Sequence, residues 1–244
     1  MLQGVPFIVS THHRCGIVLM RNVFEEVCAA PGLSFCKAPG RDRVVPEGFA
    51  VVQDSNARLR RPREAVGIHL FRDPFDMLIS HIRHAETTRD PAQPANRLRM
   101  ADGRPYKTHL LERPTLAQKA MFEIDHIYGR TLRDMIGWDY DDPRFLNIAL
   151  EAFGEAFGEA GMAADIAAEI GRRFAVFRGR EERLEAAVRA VAASGLRERR
   201  TMRPEGERGI HLLPRCVIAH LHRVFPGLGG LVARLDAWRL RPPG

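Results

Sequence analysis

The stretch from Pro6 to Met20 constrains the fold more than any other part of the chain. Pro6-Phe-Ile-Val-Ser10 is a short β-type run that is apolar almost throughout. That is the pattern of a strand buried on both faces of a parallel sheet. Thr11 to Gly16 is polar and basic, and Gly16 permits a tight turn or a close backbone approach. From Ile17 onward the apolar residues Met20, Val23, Phe24 and Val27 follow a helical spacing. Strand, basic loop and helix in succession is the arrangement in which backbone N–H groups and a helix N-terminus meet a phosphate. An ordinary βα connection of basic composition has the same outline.

The alternation continues down the chain. Leu33–Cys36 is a candidate short strand, and Lys37 to Gly48 reads as a Gly/Pro/Arg-rich loop. Phe49–Gln53 and Ala65–Phe71 are further β-type runs, with Asp54 closing the first and the basic cluster Arg58, Arg60, Arg61 and Arg63 between them. Thr87 to Arg113 is polar, contains Pro and Gly and has little periodicity; a loop of that length is a lid, a substrate loop or disordered. A single helix is predicted from Thr115 to Ile136, followed by a strand at Phe145–Leu150. Beyond it the pattern is helical: Glu151 to Phe177, Glu181 to Ala193, Pro214 to Phe225 and Gly230 to Leu240. The Ala-Phe-Gly-Glu repeat at 152–159 is too short for an array. Strands alternating with helices, then helices alone, predict an α/β fold with a central parallel sheet of four to five strands and a helical C-terminal portion. The expected organisation is one domain over residues 1–244, with an α/β core at 1–155 and helices at 156–244.

Composition narrows the function. The formal net charge of +7 comes almost wholly from arginine, lysine being rare. That balance suits anionic ligands, although Arg-rich usage also has a compositional origin. No run approaches the roughly 18 apolar residues of a membrane span, and no basic-then-apolar leader opens the chain, so a cytoplasmic protein without stable membrane insertion is expected. Cys15, Cys28, Cys36 and Cys216 are scattered without metal-ligand spacing. This argues against structural zinc and a disulfide framework. Cys28, Cys36 and Cys216 are expected as buried free thiols.

A second informative stretch is Arg72-Asp-Pro-Phe-Asp-Met-Leu-Ile-Ser-His-Ile-Arg-His84. Asp73 suits a helix cap, Pro74 the first helical position and Asp76 the first turn. Phe75, Leu78, Ile79 and Ile82 form an apolar stripe, and Asp76, Ser80 and His84 fall on the opposite side. A cation closing a strand and a hydroxyl two turns into the next helix suit one phosphate group. Pairing of Arg72 with Asp73 or Asp76 is the plain alternative.

Together these stretches resemble the sulfotransferase family, whose members transfer a sulfuryl group from 3′-phosphoadenosine 5′-phosphosulfate to a hydroxyl or amine. In that family the loop after the first strand reads like K-x-G-T and holds the 5′-phosphosulfate. Arg14-Cys15-Gly16-Ile17, with His13 before it and Val18 after, matches here. An Arg ending a strand and a Ser eight residues later contact the donor's 3′-phosphate in the family, and Arg72 and Ser80 have that spacing. Phe145 to Phe153 is similar to the family's later strand, and Arg208-Gly209 to its C-terminal basic-glycine loop. The resemblance covers residues 5–155 well and implies a P-loop-like sulfotransferase architecture with no metal requirement.

Two departures stand out. Arg14 replaces the usual lysine, a planar fork in place of a point charge. Ile17 replaces the usual threonine, removing a hydroxyl worth roughly 1.5–3 kcal/mol if its hydrogen bond is charge-assisted. The resemblance implies in-line transfer with Arg14 stabilising the leaving phosphate; Asp54 and His12 are the competing candidates for the base. His69, His81 and His84 read as structural. A P-loop kinase is disfavoured because G-x-x-x-x-G-K-[ST] is absent. A non-catalytic nucleotide- or nucleic-acid-binding protein on the same fold gains from the charge and from Ile17, but lacks the aromatic platforms that favour single strands. The acceptor and the oligomeric state are not legible.

Overall fold

A computed structural model describes residues 6–29, 31–38, 48–54, 57, 63–151, 160–199 and 209–239 of the 244. Arg208, Arg58, Arg60, Arg61, most of the 37–48 loop and the 152–159 repeat lie outside the described residues. The chain divides into two compact units, residues 1–72, 138–204 and 235–244 in the first and residues 73–137 and 205–234 in the second. The helical C-terminal portion expected as one block is thus shared between the two.

The first unit is built on a five-stranded, wholly parallel sheet in the order β2-β3-β1-β4-β5. The strands are β1 (Phe7–Thr11), β2 (Phe35–Lys37), β3 (Val51–Asp54), β4 (Val66–Phe71) and β5 (Phe145–Ala149). All five residues of β1 are buried, as a central strand with both faces covered requires. One face packs against α1 (Ile17–Cys28), α7 (Ala160–Arg173), a 3₁₀ turn (Ala175–Phe177) and α8 (Glu181–Arg199). Its centre is aromatic: Phe7 lies 4.9 Å from Phe174, 4.7 Å from Phe177 and 5.7 Å from Phe24, ring centre to ring centre. Because side chains alternate along a strand, Ile8 faces the other way, into a smaller cluster with Val52, Ala65, Trp138 and Phe145. At Gly67, beside Ile8 in the register, a Cβ would come within 1.9 Å of the Ile8 carbonyl oxygen, an approach only glycine permits.

The second unit is helical. It holds α2 (Pro74–Thr87), α3 (Pro94–Arg97), α4 (Tyr106–Leu111), α5 (Leu116–Asp125), α6 (Tyr128–Ile136), α9 (Gly209–Leu212), α10 (Arg215–Val224) and the larger part of α11 (Leu228–Arg239). Asp73 caps α2 as expected, its Oδ1 accepting from the amides of Phe75 (2.9 Å) and Asp76 (3.2 Å), with Pro74 at the first position. Thr115 and Gln118 form a reciprocal capping box on α5.

Two expectations are corrected in this unit. The segment 87–113 is neither a bare loop nor disordered: it contains α3 and α4, and Tyr106 and Leu110 are buried with Ala85, Ala95 and Phe122. It is braced by Lys107 Nζ on the Thr88 carbonyl (2.6 Å) and by Asn96 on the Asp90 carbonyl (2.7 Å). The predicted helix 115–136 is two helices. The break falls at His126–Ile127, where His126 Nδ1 takes the Phe122 carbonyl at 2.7 Å. A Cβ at Gly129 would stand 2.1 Å from the Ile124 carbonyl oxygen. A side chain competing for a main-chain carbonyl and a glycine-only approach together end the first helix.

The cysteines also depart from expectation. All four are free, but Cys15 is the buried one; Cys28 and Cys36 are half-buried and Cys216 is exposed. Among the described residues no single helix is long and apolar enough to cross a membrane.

Candidate functional site

In the first unit the order of strands reverses at β1: the chain leaves it for β2 and β3 on one side and returns to β4 and β5 on the other. In open α/β sheets ligands bind outside the carboxyl ends of the strands at such a point. The 12–16 loop lies there. The His12 carbonyl accepts from the Cys15 amide at 2.9 Å, and Arg14 (φ 64°) and Gly16 (φ 81°) are left-handed on either side of Cys15. Alternating backbone hand turns successive N–H groups toward one concavity, and the first turn of α1 adds N–H groups with no intrahelical acceptor. A left-handed arginine costs about 1–2 kcal/mol, strain of the kind found at ligand sites. At Gly16 a Cβ would lie 2.8 Å from Leu150 Cδ1, so the position is held by shape as well as by φ.

Arg72, just past β4, clasps this loop. Its Nη1 donates to the Arg14 carbonyl at 3.2 Å and its Nε lies 3.8 Å from Glu151 Oε1, just past β5. Pairing with Asp73 or Asp76, the plain alternative, is not what these distances describe. The Arg72 side chain is 19% exposed, so its charge acts at the edge of a low-dielectric region. Cys15 is fully buried, and burial pushes its thiol up to about 12 despite Arg72 and Arg14 nearby. Burial therefore holds the thiol protonated at neutral pH.

Behind the loop a polar row crosses the sheet. The register aligns Asp54, Ser10, His69 and Asn147 on β3, β1, β4 and β5, and three of them are buried. His12 Nε2 lies 2.9 Å from His69 Nε2, and His69 Nδ1 lies 2.9 Å from Asn147 Oδ1. Asn147 is oriented by its other contacts: its Oδ1 accepts from Trp138 Nε1 at 3.0 Å and its Nδ2 donates to the Tyr140 carbonyl at 2.9 Å. The Trp138 ring is stacked on His69, 3.7 Å between centres and 9° from parallel.

The predicted residues therefore fall as follows. Arg14 and Arg72 are brought together through a hydrogen bond, and His12 closes the loop through its carbonyl. Asp54 ends β3, buried, beside Ser10. His13 is half-buried. Ile17 opens α1, and its carbonyl accepts from Gln53 Nε2 at 2.7 Å. Val18, in the first turn of α1, is 57% exposed. Ser80 belongs to the second unit, half-buried on α2. In that unit Gly209, the residue after Arg208, donates its amide to Asp76 Oδ1. Sequence reasoning read His69 as structural and did not single out Asn147, Trp138 or Glu151. The available signal was a histidine and an asparagine inside apolar β runs, since a buried polar side chain needs a partner.

The second unit carries a separate buried cluster. Glu123 is 1% exposed, and burial raises its carboxyl to about 7, against the lowering effect of Tyr106 and of His126 and His84. His81 Nδ1 lies 3.7 Å from Glu123 Oε2, and burial raises the Tyr106 hydroxyl as well. Nearby, Arg113 lies 4.4 Å over the Phe122 ring at an open depression that Met100, His109, Met121 and His126 also line. Compared with known proteins, the chain matches no family model and no curated relative.

Proposed function

We propose that this chain is a sulfotransferase that moves a sulfuryl group from 3′-phosphoadenosine 5′-phosphosulfate to a hydroxyl or amine acceptor. The observation that carries the reading is the 12–16 loop at the reversal of strand order, with left-handed Arg14 and Gly16 and the Arg72 guanidinium bonded to the Arg14 carbonyl. That combination supplies N–H donors and the Arg14 cation for a phosphosulfate, with the Arg72 cation beside them for the donor's 3′-phosphate. Arg14 stabilises charge on the leaving phosphate, and Arg72 exchanges its contact with Glu151 for a donor phosphate. Backbone donors compensate for the hydroxyl that Ile17 lacks. His12 and Asp54 are the buried groups that compete to take the acceptor's proton, and the chemistry calls on no metal.

The same loop in a protein without turnover is the second reading, favoured by one observation: Ile17, at the first position of α1, has no hydroxyl to offer the donor.

Calorimetric titration with adenosine 3′,5′-bisphosphate, with adenosine 5′-monophosphate as control, tests the reading. Binding that requires the 3′-phosphate and weakens at least tenfold in Arg72→Ala and Arg14→Ala is expected; Ser80→Ala tests the other half of the resemblance. Equal affinity for both nucleotides, or none for either, overturns the donor assignment. Tight binding with no release of the bisphosphate from the sulfated donor, across acceptor classes, moves the chain to the second reading.

A further inference from the structure

The contacts of Asn147 determine the proton positions of the two histidines behind the loop. Trp138 Nε1 can only donate, so the Asn147 atom it meets at 3.0 Å is the carbonyl oxygen; the amide nitrogen then meets the Tyr140 carbonyl, as observed. His69 Nδ1, 2.9 Å from that same oxygen, must carry a proton. In a neutral ring its Nε2 is then bare, so the proton in the 2.9 Å contact belongs to His12 Nε2. Neutral His12 consequently holds its lone pair on Nδ1.

We infer that His12 and His69 work as a single one-proton acceptor in which a proton taken by His12 comes to rest as charge on His69. The step balances as a transfer along one hydrogen bond. An N–H bond forms at His12 Nδ1, the N–H bond at His12 Nε2 breaks, and one forms at His69 Nε2. His12 ends neutral in its other tautomer, and His69 ends as the imidazolium.

The structure favours charge on His69 over His12 for two reasons. The His69 ring lies face to face with the Trp138 indole at 3.7 Å, where a cation meets the negative face of the ring, whereas His12 meets Trp138 only edge-on at 6.4 Å. The Nδ1–H of His69 points to a carbonyl oxygen, a bond that strengthens when the donor is charged. A second proton is resisted because it sets two N–H groups against each other across 2.9 Å between rings 1% and 0% exposed. Around the pair, Asp54 stands in the same sheet row beyond Ser10 and favours the charge; Arg14 and Arg72 on the loop oppose it. Cys15 bonds to the His12 carbonyl with its amide and is uncharged, and Tyr140 meets His69 edge-on at 5.4 Å. His69 is therefore a positioning residue acting through His12. Its use as the sink for the acceptor's proton rests on the function proposed above, but its titration does not.

The test needs no nucleotide. Trp238→Phe makes Trp138 the only tryptophan, and long-range ¹⁵N–¹H spectra of the imidazoles are followed from pH 8.5 to 5 alongside Trp138 emission. The expected result is one proton for the pair, with His69 becoming doubly protonated, His12 moving its proton from Nε2 to Nδ1, and Trp138 emission quenched at the same midpoint. Trp138→Phe lowers that midpoint, and His69→Gln returns His12 to an ordinary independent titration. Two independent titrations, or charge on His12 with His69 neutral, overturn the inference. If His69→Gln does not fold, the shift in Trp138→Phe decides. Failure to bind adenosine 3′,5′-bisphosphate while the pair titrates as described would refute the donor assignment and leave the coupled pair standing.

Discussion

Replacing Glu123 by glutamine should stabilise the helical unit at neutral pH, although it removes a charge 3.7 Å from a histidine. Glu123 is 1% exposed and His81 only 3%, and taking both out of water as ions costs more than their attraction returns at that distance. Burial raises the carboxyl from 4.5 to about 7. A folded pKa above the unfolded one means stability that is fully present below pH 4.5 and is lost as pH rises through about 7. At about 1.4 kcal/mol per pKa unit, the difference of two to three units amounts to about 3 kcal/mol. Glutamine keeps the shape and hydrogen-bonding capacity of the protonated acid but never ionises. Amide hydrogen exchange along α5, corrected for intrinsic rates, reports the opening free energy of this unit for both proteins from pH 4.5 to 8. The two should agree within about 1 kcal/mol at pH 4.5, and the variant should be more stable by about 3 kcal/mol at pH 8. A variant less stable than the parent at pH 8 would show Glu123 and His81 to be a net favourable ion pair and refute the reasoning.

Gly16→Ala should destabilise the first unit by about 1–2 kcal/mol, the cost of a left-handed alanine, and should weaken nucleotide binding, since Leu150 must shift away from the new methyl. Thermal unfolding and the bisphosphate titration measure the two effects separately, and unchanged values for both would mean the loop does not depend on its φ of 81°. Alkylation by iodoacetamide at pH 8 should label exposed Cys216 first and leave Cys15 unmodified until the protein unfolds, because its thiol is buried and raised to about 12. Peptide mass mapping checks the order, and early modification of Cys15 would contradict its burial.

Much of the architecture was present in local pattern. The β-type runs at 6–10, 33–36, 49–53, 65–71 and 145–150 mark all five strands within one or two residues, because strands of a parallel sheet covered on both faces are largely apolar. Asp73-Pro74 announced the start of α2, since a cap and a preset φ act within one turn. Arg14, Gly16 and Arg72 were legible for a similar reason: a loop at a strand-to-helix junction and a cation at a strand end depend on short-range geometry. The helix break at His126 and the order within 87–113 were not, because both follow from contacts with residues elsewhere in the unit, the burial of Tyr106 against Phe122 among them. Single-chain order likewise says nothing of which strand lies beside which. Only the sheet register set His69 between Ser10 and Asn147, and only packing laid Trp138 on its ring. Residues 57 and 78 positions apart were thereby joined in one hydrogen-bonded chain. The sequence by itself determined the kind of fold and the basic loop between the first strand and the first helix, through periodicity and backbone preference. The tertiary structure alone decided where a proton can rest, because that depends on which buried polar groups face one another.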